Sequence, residues 1–220
     1  MITVTMITKN EEAAVGKVIK DIRRVAPEAE ILVVDSSSDK TAEIAGELGA
    51  RVVKQFPPQG YGPAMVRALT EANGDIVITL DCDDTYPVEA IPTLVSQMEA
   101  GGYDLIDASR LKRKPAAMPW INYLANWGFA WLASILFFRR VTDLHSGMRA
   151  YRRNLIHEFA WRAKGAALPV ELLLIPIARG KKVGTIFIDY HERIGSTTLD
   201  PLPSAWWTLK RIFMCRFGKL

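Results

Sequence analysis

Asp75-Ile76-Val77-Ile78-Thr79-Leu80-Asp81-Cys82-Asp83-Asp84 decides the reading of this chain. Residues 76–80 form an apolar run of strand length, broken only by Thr79, as expected of a strand buried on both faces of a parallel sheet. The run leads directly into three carboxylates within four residues. In open α/β sheets, ligands bind beyond the carboxyl ends of the strands. An upstream run, Ile31-Leu32-Val33-Val34, ends the same way at Asp35. Like charges gathered on one sheet edge repel unless a cation sits among them. A hard divalent cation meets that need, because Mg²⁺ typically takes one or two carboxylates and completes its shell with water and substrate phosphates. The plainer alternative is that Asp83 and Asp84 cap the helix expected near Pro87.

The same alternation extends outward in both directions. Strands are expected at 2–7, 31–34, 51–54, 75–80 and 104–109. Helices are expected at 12–26, where Val15, Val18, Ile19, Ile22 and Val25 recur at helical spacing, and at 40–48 and 88–100. The turn Gln59-Gly60-Tyr61-Gly62-Pro63 opens another helix that runs to about residue 72. A less regular second half adds strands at 148–152 and 183–190, with helices near 153–162 and 169–179. This pattern predicts an α/β fold with a mostly parallel central sheet flanked by helices. No internal repeat or low-complexity tract interrupts it.

Of 220 residues, 49% are hydrophobic and 24% charged, a globular composition. The charge is unevenly divided. Residues 1–109 carry 9 Lys/Arg against 18 Asp/Glu, and residues 110–220 carry 19 against 6. The acidic first half argues against a nucleic-acid binder. The basic second half suits a phosphate group or an anionic membrane surface. Two cysteines form no disulfide scaffold, which suits a reduced cytosolic setting, and the first residues lack the pattern of a signal peptide. Residues 116–138 are uncharged and flanked by Arg113-Lys114 and Arg139-Arg140. Pro119, Asn122, Asn126 and Gly128, with tryptophans spread along the segment, favour a helix lying in a membrane interface over a spanning one; a core helix is the other reading. Residues 203–220 read as a basic amphipathic helix.

Several stretches, taken in chain order, resemble the motifs of family-2 glycosyltransferases of the GT-A fold, and among these the polyprenyl-phosphate sugar transferases. Thr8-Lys9-Asn10-Glu11-Glu12 is similar to the first-strand Asn-Glu motif of the nucleotide pocket. Val34-Asp35-Ser36-Ser37-Ser38-Asp39-Lys40-Thr41 resembles Val-Asp-Asp-Gly-Ser-x-Asp-x-Thr, with Ser36 in place of the second Asp. Gly60-Tyr61-Gly62-Pro63-Ala64 resembles a Gly-x-Gly-x-Ala turn, Asp81-Cys82-Asp83 the metal-binding Asp-x-Asp, and Ser109-Arg110 the Ser-Arg after the next strand. Asp143-Leu144-His145-Ser146-Gly147-Met148-Arg149 is similar to Asp-x-x-Ser-Gly-Phe-Arg of the acceptor region. Glu171 matches a helical Glu, and Arg193-Ile194-Gly195-Ser196 matches Arg-x-Gly-x-Ser near the donor phosphates. Thr198 stands where a Lys is common.

The resemblance implies a GT-A domain over residues 1–202, divided into a nucleotide-binding half (1–109) and an acceptor half (110–202), followed by the helix 203–220. It implies an inverting, Mg²⁺- or Mn²⁺-dependent transfer of a hexose from a UDP- or GDP-sugar to a polyprenyl phosphate. Asp81 and Asp83 would hold the metal. Thr8, Asn10, Glu11, Asp35, Gly60, Gly62, Asp81, Cys82, Arg110 and Ser196 would meet the donor, Cys82 also reading as a small filler between the two carboxylates. Arg139, Ser146, Gly147 and Glu171 would meet the acceptor, and Arg149, Asp143 and Arg193 would act with Asp83 on the reacting groups.

A sugar hydroxyl needs a general base, whereas a lipid phosphate is already ionised and needs only cations to hold it. Arg110, Arg139, Arg140, Arg149, Arg152 and Arg153 against the single acid Asp143 favour the phosphate. Three alternatives stay open at residue level: Asp143 as a base for a hydroxyl acceptor, Arg139 and Arg140 as snorkelling ends of the apolar helix, and Glu171 as the partner of a core arginine. At the level of function, a nucleotidyltransferase would need a triphosphate loop after the first strand, and a non-enzymatic membrane module would leave the strand-end carboxylates unexplained. The expected location is peripheral, on the cytoplasmic face of a membrane, held by anionic lipid or by a partner's anchor.

Overall fold

The computed structural model describes residues 1–162, 167–195 and 201–218, the side chains of 201–203 excepted. Seven strands form one sheet: β1 (Ile2–Thr8), β2 (Glu30–Asp35), β3 (Arg51–Lys54), β4 (Ile76–Thr79), β5 (Leu105–Ser109), β6 (Arg149–Arg152) and β7 (Val183–Phe187). Their spatial order is β3-β2-β1-β4-β6-β5-β7. All neighbouring pairs are parallel except those of β6, which runs against both β4 and β5. The expected α/β architecture is therefore present, and it is that of the GT-A fold.

Alternation along the strands buries both faces. Val4, Met6, Ile31, Val33, Ile76 and Ile78 pack with Val15, Val18, Ile19 and Ile22 of α1 (Val15–Val25) and with Ile91, Leu94 and Met98 of α4 (Ala90–Gly101). Leu32, Val34, Val77, Leu105 and Tyr151 point the other way. They meet α3 (Tyr61–Thr70), α6 (Arg153–Glu158) and α7 (Leu168–Ala178). α2 (Thr41–Glu47) lies beside α1. Each fully buried aliphatic side chain contributes about 1.5–3 kcal/mol, so this two-sided burial makes the sheet a rigid platform.

The register places the site. Thr8 at the end of β1 pairs with Asp35 at the end of β2, and β4 ends at Thr79, two residues before Asp81. Because β6 is antiparallel, its first residue, Arg149, lies opposite both Thr79 and Asp107. Residues 143–148 therefore arrive at the same sheet edge as Asp81–Asp83 and Ser109-Arg110. A membrane crossing between these segments is incompatible with that arrangement, and among the described residues no helix is long and apolar enough to span a bilayer.

The apolar segment becomes α5 (Trp120–Phe137) and the basic tail becomes α8 (Pro201–Phe217). α5 buries Ala130 and Ala133 but exposes Trp120 and, three to four residues apart along one face, Ile121, Leu124, Trp127, Trp131 and Ile135. α8 packs on α7 and α5. It turns Thr208, Arg211, Ile212 and Cys215 inward and exposes Trp206, Trp207, Phe213 and Phe217. Arg211, within the helix read as basic and amphipathic, is buried beside Glu171, which gives its charge a partner inside the protein.

Candidate active site

The β1 and β2 ends build one wall. Asp35 is fully buried; its Oδ1 accepts from the Thr8 hydroxyl at 2.8 Å, and its Oδ2 meets Lys54 Nζ at 3.0 Å. Asn10 follows β1 with φ 59°, a left-handed conformation that Asn tolerates. Its Oδ1 accepts from the Ser38 N–H at 2.9 Å, and its own N–H donates to Ser37 Oγ at 2.8 Å. The two motifs expected to hold a nucleotide are thus laced together. Gly60 has φ 91° and opens α3, a conformation that favours glycine, with Gly62 buried two residues on. Between them, the Tyr61 phenol is pushed up by burial first and then by the charge of Asp81.

Asp83 is buried. Its Oδ1 accepts from the Thr85 hydroxyl at 2.6 Å, and its Oδ2 lies 3.4 Å from Arg193. Arg193 also reaches Glu11 at 2.9 Å, and the Ile194 N–H donates to the Asp83 carbonyl, so the segment after β7 folds back over the Asp-x-Asp. Glu11 is raised by burial, against the pull of Arg193. Cys82 is buried between the acids and its thiol is pushed up by that burial, as expected of an inert filler.

Asp81 differs from its neighbours. It is half-buried, and among the described residues no hydrogen bond or ion pair holds its carboxylate. Burial first, and then the Asp83 charge, raise it to about 7 from 3.8. Gly147 lies directly against it: a Cβ there would sit 2.6 Å from Asp81 Oδ2. Among the described residues no group of three or more His, Cys, Asp or Glu is placed to hold a metal on protein ligands alone. The Asp81–Asp83 pair fits the other design, a hard cation on one or two carboxylates that shares its shell with phosphate. Since a cation needs Asp81 ionised, the thermal stabilisation given by Mn²⁺ is expected to grow from pH 6 to pH 8. Asp81 binds its proton more tightly folded than unfolded, so without metal its contribution to stability is lost as pH rises through about 7. Thermal melts at both pH values, with and without Mn²⁺, check the two signs.

The motif expected at the acceptor is tightly built. Asp143 is buried and takes a two-pronged bond from Arg110, Nε–Oδ2 at 2.7 Å and Nη2–Oδ1 at 3.0 Å. Burial would raise its carboxyl, but Arg110 outweighs that and holds it below the usual value. Arg110 in turn stacks over Tyr190 at 5.2 Å. Ser146 Oγ donates to the Ala108 carbonyl at 2.6 Å, and the Gly147 N–H donates to the Tyr86 hydroxyl at 2.6 Å.

Other expected site residues are committed inside the protein. Arg149 is 1% exposed; it bonds Asp107 at 2.7 Å and the carbonyls of Leu144 and Pro169, because a buried guanidinium requires a full set of acceptors. That corrects its expected contact with the reacting groups. Glu171, expected at the acceptor, accepts from the Arg162 N–H at 2.8 Å and pairs with Arg211 at 2.9 Å. Arg139 donates to the carbonyls of Lys181 and Val183 and lines a separate cleft of about 310 Å³ with Asp107 and Arg140. His145 bonds Thr208 on α8 at 2.8 Å. Ser196 lies outside the described residues. Sequence reasoning quoted Tyr61 within its turn but gave it no role, and missed Tyr86, Tyr190 and Thr208. Tyr86 stands two residues past the acidic run and was the most accessible of these; Tyr190 and Thr208 carried no local signal.

A mostly parallel sheet with one reversed strand, carrying an Asp-x-Asp at the edge where that strand begins, defines a GT-A glycosyltransferase. The chain belongs to Glycosyl transferase family 2, whose profile matches residues 3–159. It is 43% identical over 201 residues to a dolichyl-phosphate hexose transferase of Haloferax volcanii, covering 91% of this chain and 87% of that one. It is 30% identical over 212 residues to the low-salt glycan biosynthesis hexosyltransferase Agl6 of the same organism, covering 93% of this chain and 51% of the relative. Among solved structures, glucosyl-3-phosphoglycerate synthase from Mycobacterium tuberculosis, with Mn²⁺, UDP-glucose and phosphoglyceric acid bound, superposes with a TM-score of 0.77 at 24% identity, over 99% of this chain and 80% of that one.

Proposed function

We propose that this glycosyltransferase moves a hexose from a nucleotide diphosphate sugar to a polyprenyl phosphate at the cytoplasmic face of a membrane. The observation that carries the choice of acceptor is the state of Asp143. A hydroxyl acceptor needs a free carboxylate or comparable base. Asp143 is locked by Arg110 and acidified by it, Asp107 is paired with Arg149, and Glu171 with Arg211. A lipid phosphate attacks without a base, so this acceptor half suits it. The name of the 43% identical relative supports the same reading.

On the donor side, Asp35, Thr8 and Asn10 orient the nucleotide, and Arg193 stands beside Asp83 where negative charge builds on the leaving diphosphate. Asp81 and Asp83 would hold a divalent ion, which supplies Lewis-acid stabilisation of that charge. Mn²⁺ and UDP-glucose in the structural neighbour are consistent with this. Arg110 and Arg149 position the loop between them and are not themselves free to bind phosphate.

The outward stripe of α5 and the aromatic face of α8 give this site a lipid contact. Six large apolar residues exposed along one helix exceed what a soluble surface normally carries. Lys112, Arg113 and Lys114 precede that helix and Arg139 and Arg140 follow it, a pattern suited to anionic headgroups. Replacing Trp127 and Trp131 together with Glu is expected to weaken binding to anionic vesicles about 30-fold or more, since about 2 kcal/mol of apolar burial is lost. Sedimentation with vesicles measures it. The function itself is tested by incubating the purified protein with labelled UDP- or GDP-hexoses and either polyprenyl phosphate or the matching polyprenol. Label is expected in lipid only with the phosphate; label on the polyprenol alone contradicts the proposal.

A further inference from the structure

We infer that His145 is a positioning residue that pins the lipid-facing helices to the acceptor loop, so that their seating sets the alignment of acceptor and donor. The inference rests on the function proposed above. His145 lies in the loop 143–147, and both helices converge on it. From α8, the Thr208 hydroxyl shares a 2.8 Å hydrogen bond with His145 Nε2. From α5, the Phe129 ring meets the imidazole edge to face at 6.1 Å. The His145 N–H donates to Asp143 Oδ1 at 3.0 Å, which ties it to the carboxylate that anchors Arg110.

Two residues further on, Gly147 abuts Asp81. The Gly147 carbonyl accepts from Thr79 and its N–H donates to Tyr86, so this end of the loop is fixed to β4 and to the acidic run. A short segment held by these bonds, with only His145 Nδ1 buried and unpartnered among its side-chain atoms, therefore has one end on the donor carboxylates and its middle on the two helices whose opposite faces carry exposed tryptophans. Thr208 is 1% exposed, on the same inward face of α8 as Arg211 and Ile212. Its hydroxyl reports the seating of α8 directly to the loop. The chemistry needs a polar link here: a hydrogen bond fixes direction as well as distance, where an apolar contact fixes neither closely.

Misalignment of acceptor and donor by a fraction of an ångström lowers turnover far more than it lowers donor binding. Donor contacts at Asp35, Thr8 and Asn10 lie on other elements, so they should not respond. The test is steady-state transfer to polyprenyl phosphate in anionic vesicles, comparing wild type with Thr208→Val, Thr208→Ser, His145→Gln and His145→Leu. Thr208→Val keeps the side-chain volume and removes the hydroxyl. It is expected to lower kcat about tenfold with the KM for the nucleotide sugar within about twofold of wild type. Thr208→Ser and His145→Gln, which retain a hydrogen-bonding group, are expected to recover most of the turnover, and His145→Leu to behave like Thr208→Val. Equal kcat for wild type and Thr208→Val overturns the inference, as does equal loss in Thr208→Val and Thr208→Ser, which would mark a packing role. If wild type transfers no sugar to the lipid phosphate, the proposed function itself fails, a result distinct from either.

Discussion

Asp83→Ala is expected to reduce hexose transfer by about 10³-fold or more. The loss of a single preorganised group facing developing charge costs about 10²–10³ in rate, and here two effects coincide. Asp83 is half of the carboxylate pair that fits a divalent ion at this sheet edge, and it is one of the two acids that place Arg193. Without it, Arg193 keeps only Glu11. Nucleotide-sugar binding should also lose its dependence on Mn²⁺, which titration calorimetry with and without the metal measures. Asp84→Asn provides the control. Asp84 has φ 63° and pairs outward with Lys17, and Asn accepts that backbone conformation, so transfer is expected to stay within about threefold of wild type. Equal damage from both substitutions would mean a general loss of fold around the acidic run.

Gly147→Ala is expected to weaken metal-dependent donor binding about 10²-fold while lowering stability by only about 1–3 kcal/mol. The added methyl would stand 2.6 Å from Asp81 Oδ2 and 2.9 Å from the two other carboxyl atoms. The backbone has little room to retreat, since the Gly147 carbonyl and N–H are held by Thr79 and Tyr86. The Asp81 side chain, which carries no bond of its own, is the part that yields, and it swings away from Asp83. Gly46→Ala offers the contrast: within α2 a Cβ at that position meets nothing within 4 Å, and the helix should gain about 0.5–1 kcal/mol. Calorimetry for the donor and thermal melts for the fold separate the two effects. Wild-type donor affinity in Gly147→Ala would remove the contact between the loop and the metal site from the account.

The parts of this molecule legible in its sequence are those where local pattern and tertiary role coincide. β2 and β4 are buried on both faces, so their runs are apolar but for Thr79, and the first charge after each run, Asp35 or Asp81, marks its end. The strand expected over 183–190 ends at Phe187 instead, because β7 is an edge strand with β5 as its one partner. The direction of β6 has no sequence signature: four residues alternate the same way whichever way they run. That direction is nevertheless what brings Gly147 to Asp81.

The arginines were the hardest to read. Arg149 looks in sequence like a phosphate ligand and Arg211 like part of a membrane-facing basic helix; Glu171 as the partner of a core arginine was one open reading, but only the fold identifies Asp107 and Glu171, 42 and 40 residues away, as the partners of these two. An acid inside an otherwise apolar stretch, as at both Asp107 and Glu171, was the available sign of a buried ion pair. Desolvating such an acid is costly enough that a matching cation must sit beside it. His145 gave no such sign, because its partner Thr208 is an ordinary residue on a helix that sequence alone reads as facing the membrane.

The most direct test of the central claim is anomalous diffraction from crystals grown with Mn²⁺ and the nucleotide diphosphate product. The account predicts one manganese peak within coordination distance of Asp81 or Asp83, with the diphosphate on its other side and the nucleoside toward Asp35 and Asn10. A peak elsewhere, or a nucleotide bound away from that sheet edge, would contradict it.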